Sequence, residues 1–149
     1  EGSYGTVWRA RDTDQNWYAV KNIRNRRSSG GGVTVASREC AVADRIRLTP
    51  HPCLVKLFRV HNFTDTALYV LVMEFCPGGD LLSVIQRTKH EFRAQQRAYQ
   101  PPPPAHKWIG QVFMGLEHMH RRMDTLLRDL KPENVVLDRS GCAKLTDFG

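Results

Sequence analysis

The sequence predicts an α+β chain: a first half of antiparallel strands carrying one helix, then a second half of helices that closes on a β-hairpin. Three observations predict it. Short β-rich runs bounded by turn residues fill much of residues 6–23 and 57–74. Ile109, Val112, Phe113, Leu116 and Met119 recur at helical spacing. Near the end, Val135-Val136-Leu137 and Cys142-Ala143-Lys144-Leu145 flank Asp138-Arg139-Ser140-Gly141, the pattern of a hairpin. With 149 residues, 41% hydrophobic and 25% charged, the chain has globular rather than disordered composition and is long enough to bury a core.

Taken in order, residues 6–10 form a strand, Asp12-Thr13-Asp14 a turn, and residues 17–23 the returning strand. Arg27-Ser28-Ser29-Gly30-Gly31-Gly32 has the composition of a flexible linker. A helix from about Ser37 to Leu48 stops at Thr49-Pro50, because proline disfavours helix in the residue before it. Residues 57–60 and 67–74 are two antiparallel strands turned at Thr64-Asp65-Thr66. Asp80 caps a helix containing Leu81, Leu82 and Ile85. A polar, basic segment follows to Gln100, and Pro101-Pro102-Pro103-Pro104 is expected to run extended as a stiff spacer. The helix through residues 109–119 ends near His120-Arg121-Arg122 and is expected to be a core helix.

Charge and cysteine usage narrow the function classes. The formal charge of +7 gathers around Arg24-Asn25-Arg26-Arg27 and Arg121-Arg122. No aromatic residues interleave with those runs, so solvated faces are expected there and no nucleic-acid partner. No apolar run is long enough to span a bilayer, and the first residues do not have the pattern of a signal peptide. Cys40, Cys53, Cys76 and Cys142 show no metal-ligand spacing, which suits free thiols in the cytoplasm or the nucleus.

The chemistry concentrates in Leu127-Arg128-Asp129-Leu130-Lys131-Pro132-Glu133-Asn134 and in Asp147-Phe148-Gly149. Pro132 stiffens the first run by fixing φ. The hairpin between the runs carries Asp147 back beside Asn134. Three oxygen-bearing side chains and one ammonium then face a common point. Such a group can hold Mg²⁺ through oxygens, orient a hydroxyl and neutralise a phosphate.

These two runs resemble the catalytic loop and the metal-binding motif of eukaryotic protein kinases. Glu1-Gly2-Ser3-Tyr4-Gly5-Thr6-Val7 resembles the glycine-rich loop, and Tyr18-Ala19-Val20-Lys21 the motif of the strand-borne lysine. The resemblance implies a two-lobed fold, here truncated. Residues 1–74 would be the N-lobe without its first strand, 75–80 the hinge and 81–149 the start of the C-lobe, with an insertion near 87–104. The chain opens inside one motif and stops at the end of another, so it is expected to be part of a longer one. By itself such a segment would leave apolar faces of Ile109, Phe113 and Leu116 without partners, and no activity is expected of it alone.

The resemblance also assigns roles. Gly2, Ser3 and Gly5 would approach phosphates through backbone N–H groups. Lys21, held by Glu39, would bind the inner phosphates of ATP. Met73 would guard the back of the pocket, and the backbone of Glu74 and Cys76 would bond the adenine between Val7, Ala19 and Val136. Asp129 would orient the substrate hydroxyl and Lys131 contact the transferring phosphoryl group. Asn134 and Asp147 would hold Mg²⁺. Asp80 and Glu133 would face substrate arginines or, for Asp80, the ribose.

The pattern is serine/threonine-type, most like the AGC kinases, and implies a protein substrate and an upstream activating kinase. Two positions depart from it. Ala43 stands where the family has a large apolar residue, and Leu127 where it has His or Tyr. They keep open the alternative of a nucleotide-binding pseudokinase that acts as a scaffold.

Overall fold

The computed structural model describes residues 5–24 and 35–148, so the expectations for Gly2, Ser3 and the 27–32 linker fall outside the described residues. Four strands, β1 (Thr6–Arg11), β2 (Trp17–Arg24), β3 (Leu57–Phe63) and β4 (Leu68–Glu74), form an antiparallel sheet of order β1-β2-β4-β3. The turn from β1 to β2 is built by Asp12, whose Oδ1 accepts from the Asn16 N–H at 2.8 Å. Thr64–Thr66 makes a single 3₁₀ turn between β3 and β4, closed by Ala67 in the left-handed region at φ 49°.

Helix α1 (Val35–Leu48) packs on β3 and β4, with Ala43 and Ile46 turned into the core. It ends as the sequence implies: the Thr49 N–H and hydroxyl both donate to the Arg45 carbonyl. The chain then crosses to the second half through residues 51–56. There the Val55 N–H donates to Leu145 O and the Leu145 N–H to Cys53 O, both at 2.9 Å. His51 stacks on His118, with 4.6 Å between ring centroids, and His118 Nε2 lies 2.9 Å from Thr49 O.

Helix α2 (Leu81–Ala94) starts where Asp80 was expected to cap it: its Oδ1 accepts from the Ser83 N–H at 2.8 Å. Two expectations are corrected here. The basic segment after Arg87 stays helical to Ala94, because Phe92 and Thr88 remain on a half-buried face. The four prolines do not run extended throughout. Ala105 N–H donates to Pro102 O at 2.9 Å, and Pro104, at ψ 4°, leads into helix α3 (Ala105–Met123). Proline suits a helix start, where its missing N–H would have had no partner.

In helix α3, Trp108, Gly115, Met119 and Met123 are buried, whereas Ile109 and Phe113 are exposed, as expected of this segment by itself. Val112 and Leu116 sit between these faces, partly buried against the core. A Cβ on Gly115 would lie 3.0 Å from both Cys53 O and Leu145 Cδ1, so a side chain here would push α3 and the hairpin slightly apart. The hairpin pairs β5 (Val135–Leu137) with β6 (Ala143–Leu145). One continuous core runs from Ile23, Ile46 and Met73 through Leu54 and Val55 to Leu145, Met119 and Trp108.

Candidate active site

Lys21 sits at the middle of the sheet, paired in register with Val7 on one side and Leu71 on the other. Its side chain is 4% exposed, so its ammonium needs compensating charge. Glu39, in the second turn of α1, supplies one carboxylate: Lys21 Nζ donates to Glu39 Oε1 at 2.5 Å. Asp147 supplies the other, with Nζ to Oδ1 at 2.6 Å. Burial pushes the Lys21 ammonium down, but the two carboxylates more than offset it and hold its pKa above the ordinary value. Burial raises Glu39, and Lys21 offsets that only in part. Glu39 Oε2 is buried without a partner among the described residues.

Asp147 follows β6 in the left-handed region at φ 56°, unusual for a residue with a side chain. That kink accompanies the return of its carboxylate to Lys21. The backbone bond from Thr146 N–H to Asn134 O, at 3.0 Å, sets this segment beside the other motif.

In that motif, Pro132–Asn134 forms a 3₁₀ turn with proline at its start, and the Asn134 N–H donates to Lys131 O. Asn134, 4% exposed, donates from Nδ2 to Asp129 O at 2.8 Å. Lys131 Nζ donates to Asp129 Oδ2 at 2.5 Å. That bond holds the Lys131 ammonium above its ordinary pKa. With the Asn134 nitrogen committed to Asp129, its amide oxygen is the atom left to turn toward a cation. Asn134 oxygen and the half-exposed Asp147 carboxylate are hard donors that fit Mg²⁺. Among the described residues no cluster of three His, Cys, Asp or Glu could hold a metal. Two protein oxygens with a substrate's phosphates and water make a suitable set for this ion.

Around the strand exit, Met73 is buried, and the Glu74 N–H donates to Lys56 O at 2.9 Å. Among the described residues no hydrogen bond takes the Cys76 N–H, while burial pushes the Cys76 thiol up to about 12. Ala19 and Val136 are partly buried beside the core, and Val7 is exposed. Asp80 forms an antiparallel bridge with Val136, and Gly78 crosses Leu137 so closely that a Cβ would lie 2.6 Å from the Leu137 Cβ. Asp80 gives both carboxylate oxygens to Ser83, through its N–H and its hydroxyl, and Glu133 is exposed.

The structure therefore brings Lys21, Glu39 and Asp147 together, and Asp129, Lys131 and Asn134 together. Sequence reasoning missed two contacts. Lys21 meets Asp147 directly, and Lys144 Nζ donates to both Glu74 oxygens, at 2.7 and 2.8 Å. Neither has a local signal, since the partners lie 126 and 70 positions apart.

A lysine is thus held by a helix carboxylate and a second aspartate, and that aspartate's segment lies beside an Asp–Lys–Asn loop. The chain belongs to the protein kinase family: the model described as "Protein kinase domain" matches residues 1–149. It is 29% identical over 151 residues to the cAMP-dependent protein kinase type 3 of Saccharomyces cerevisiae, covering 99% of this chain and 34% of that protein. It is 34% identical over 154 residues to the serine/threonine-protein kinase KIPK1 of Arabidopsis thaliana, covering 99% of this chain and 15% of that protein. The human serine/threonine-protein kinase Nek2 is 38% identical over 126 residues, covering 80% of this chain and 27% of Nek2. The chain thus spans about a third or less of these relatives' own lengths.

Proposed function

We propose that the protein carrying this chain transfers the terminal phosphoryl group of ATP to serine or threonine hydroxyls of protein substrates. The observation that carries this reading is Lys21, buried between Glu39 and Asp147. Such transfer needs positioning and charge neutralisation more than covalent help. Lys21 holds the inner phosphates, and Asn134 and Asp147 would hold Mg²⁺, which would supply charge neutralisation on the phosphates. Asp129 accepts or orients the substrate hydroxyl, and Lys131 moves from Asp129 to the transferring group. The Glu74 carbonyl and the Cys76 N–H bond the adenine edge.

The pseudokinase alternative drew on Ala43 and Leu127. Ala43 is 2% exposed, within the core, and Leu127 is partly buried at the margin of the same core. The catalytic reading is favoured by the presence of Lys21, Asp129, Asn134 and Asp147, with Lys21 bonded to Asp147 and Asn134 to Asp129.

Asp80 and Glu133 suit a substrate with arginines before the target residue, through charge-assisted hydrogen bonds at the cleft mouth. A positional peptide library on the full-length protein should select Arg two or three positions before the phosphorylated residue. Selection of proline after the site, or of acidic residues with no arginine preference, would refute this specificity.

A cavity of about 500 Å³ opens between α1 and the segment before the catalytic loop, with Arg38, Arg45, Arg128 and Phe148 in its lining. Arg45 donates to Met123 O at 2.8 Å, whereas Arg38 and Arg128 are exposed. Two exposed guanidiniums beside Phe148 suit a phosphate placed on this protein by an upstream kinase. Phosphatase treatment of the full-length protein should lower its activity several-fold, and Arg128→Ala should remove that sensitivity. Activity indifferent to phosphatase would dismiss this mode of control.

A further inference from the structure

The carboxylate of Glu74 is the meeting point of three segments. Lys144 Nζ, on β6, donates to both of its oxygens, at 2.7 and 2.8 Å. The Lys56 N–H donates to Oε2 at 3.2 Å, and the Glu74 N–H returns the bond to Lys56 O at 2.9 Å. Lys144 is 13% exposed, and its second acidic neighbour, Asp138 Oδ2, stands at 3.8 Å. Asp138 is already committed to its own turn, where Oδ1 accepts from the Ser140 and Cys142 N–H groups. Glu74 is therefore the main anchor of the Lys144 ammonium.

This contact joins two segments that the phosphotransfer reading places along the nucleotide. Glu74 closes β4, and the Cys76 N–H follows two residues later. Lys144 pairs across the hairpin with Val136 and precedes Asp147 by three residues.

We propose that Lys144 is a positioning residue for nucleotide binding, acting through the Glu74 carboxylate to fix the adenine-binding strand exit against the strand that ends in Asp147. The inference rests on the phosphotransfer reading above. Holding the adenine edge and the phosphate end in one register means that binding does not have to order one against the other. Neither Glu74 nor Lys144 is among the residues assigned above to the peptide, so peptide recognition should be independent of this pair.

The test uses the full-length protein, with ATP titration by calorimetry and steady-state kinetics in both substrates. Lys144→Met should raise the Kd and KM for ATP about tenfold, leaving the KM for peptide unchanged. Lys144→Arg, which keeps the charge and two donors, should stay within about threefold of wild type. Glu74→Gln should weaken ATP binding similarly, and the double variant Glu74→Gln, Lys144→Met should be no worse than the weaker single one, because both remove one interaction. Wild-type ATP affinity in Lys144→Met, or single losses that multiply in the double variant, would overturn the proposal. Should Lys144→Met not fold, Glu74→Gln decides alone, and unchanged ATP affinity there defeats the inference. A wild-type protein that bound no ATP would instead remove the phosphotransfer reading, and this inference with it.

Discussion

Asp129→Asn in the full-length protein is expected to lower single-turnover phosphotransfer roughly a hundred- to ten-thousand-fold, with ATP affinity within a few-fold of wild type. The carboxylate of Asp129 is oriented from two sides, by Lys131 at 2.5 Å and by the Asn134 amide, which also holds its backbone carbonyl. Asparagine preserves shape but loses the charge that attracts Lys131 and a proton. None of the residues assigned to the adenine or the inner phosphates bonds to the Asp129 side chain, so nucleotide affinity should survive. Quench-flow phosphotransfer and a separate nucleotide titration make the comparison. Turnover near the wild-type rate would remove Asp129 from the chemistry.

Lys21→Met should have the second largest effect, on activity and on stability together. Activity should fall about a hundredfold or more, the usual cost of losing one preorganised charge at a reacting group. Folding stability at pH 8 should fall by about 3 kcal/mol, because a buried Glu39 carboxylate is left without its cation. The pH dependence distinguishes this from a simple cavity. Burial raises Glu39 even with Lys21 present, and without Lys21 it raises it further. An acid whose folded pKa is raised binds its proton more tightly folded than unfolded. Its contribution is fully present below the ordinary carboxylate range and is lost as pH rises through the folded pKa. The variant should therefore melt closest to wild type near pH 5 and fall furthest below it near pH 8. A deficit that shrinks as pH rises would contradict the buried-carboxylate account.

Most of what local pattern can carry was legible. The strands around Lys21 and Met73, the Asp80 cap, the stop at Thr49-Pro50 and the closing hairpin follow from side-chain period and turn chemistry, which act over a few residues. Glu39 was legible as a partner only through the family resemblance, since the bond it makes spans 18 positions and two elements. In α3 the exposed Ile109 and Phe113 were expected, but periodicity alone did not single out the buried face of Trp108, Met119 and Met123, where Gly115 meets Leu145 and Cys53. Composition likewise misjudged residues 88–94, whose polar residues extend a helix that its first turns had already nucleated. The Lys144–Glu74 pair was out of reach because each charge alone looks like an ordinary surface residue.

The 126 positions between Lys21 and Asp147 also impose an order of events during synthesis. At ribosomal rates, roughly 6 to 25 seconds separate the appearance of these two residues. Once β4 is complete, the sheet has its lysine and Glu39 but waits for the second carboxylate. Residues 53–55 likewise lack the Leu145 backbone that later pairs with them. A nascent sheet in this condition presents open hydrogen-bonding groups and uncovered apolar side chains to its surroundings. Until β6 emerges these groups stay open to wrong pairing, independent of how stable the finished protein becomes.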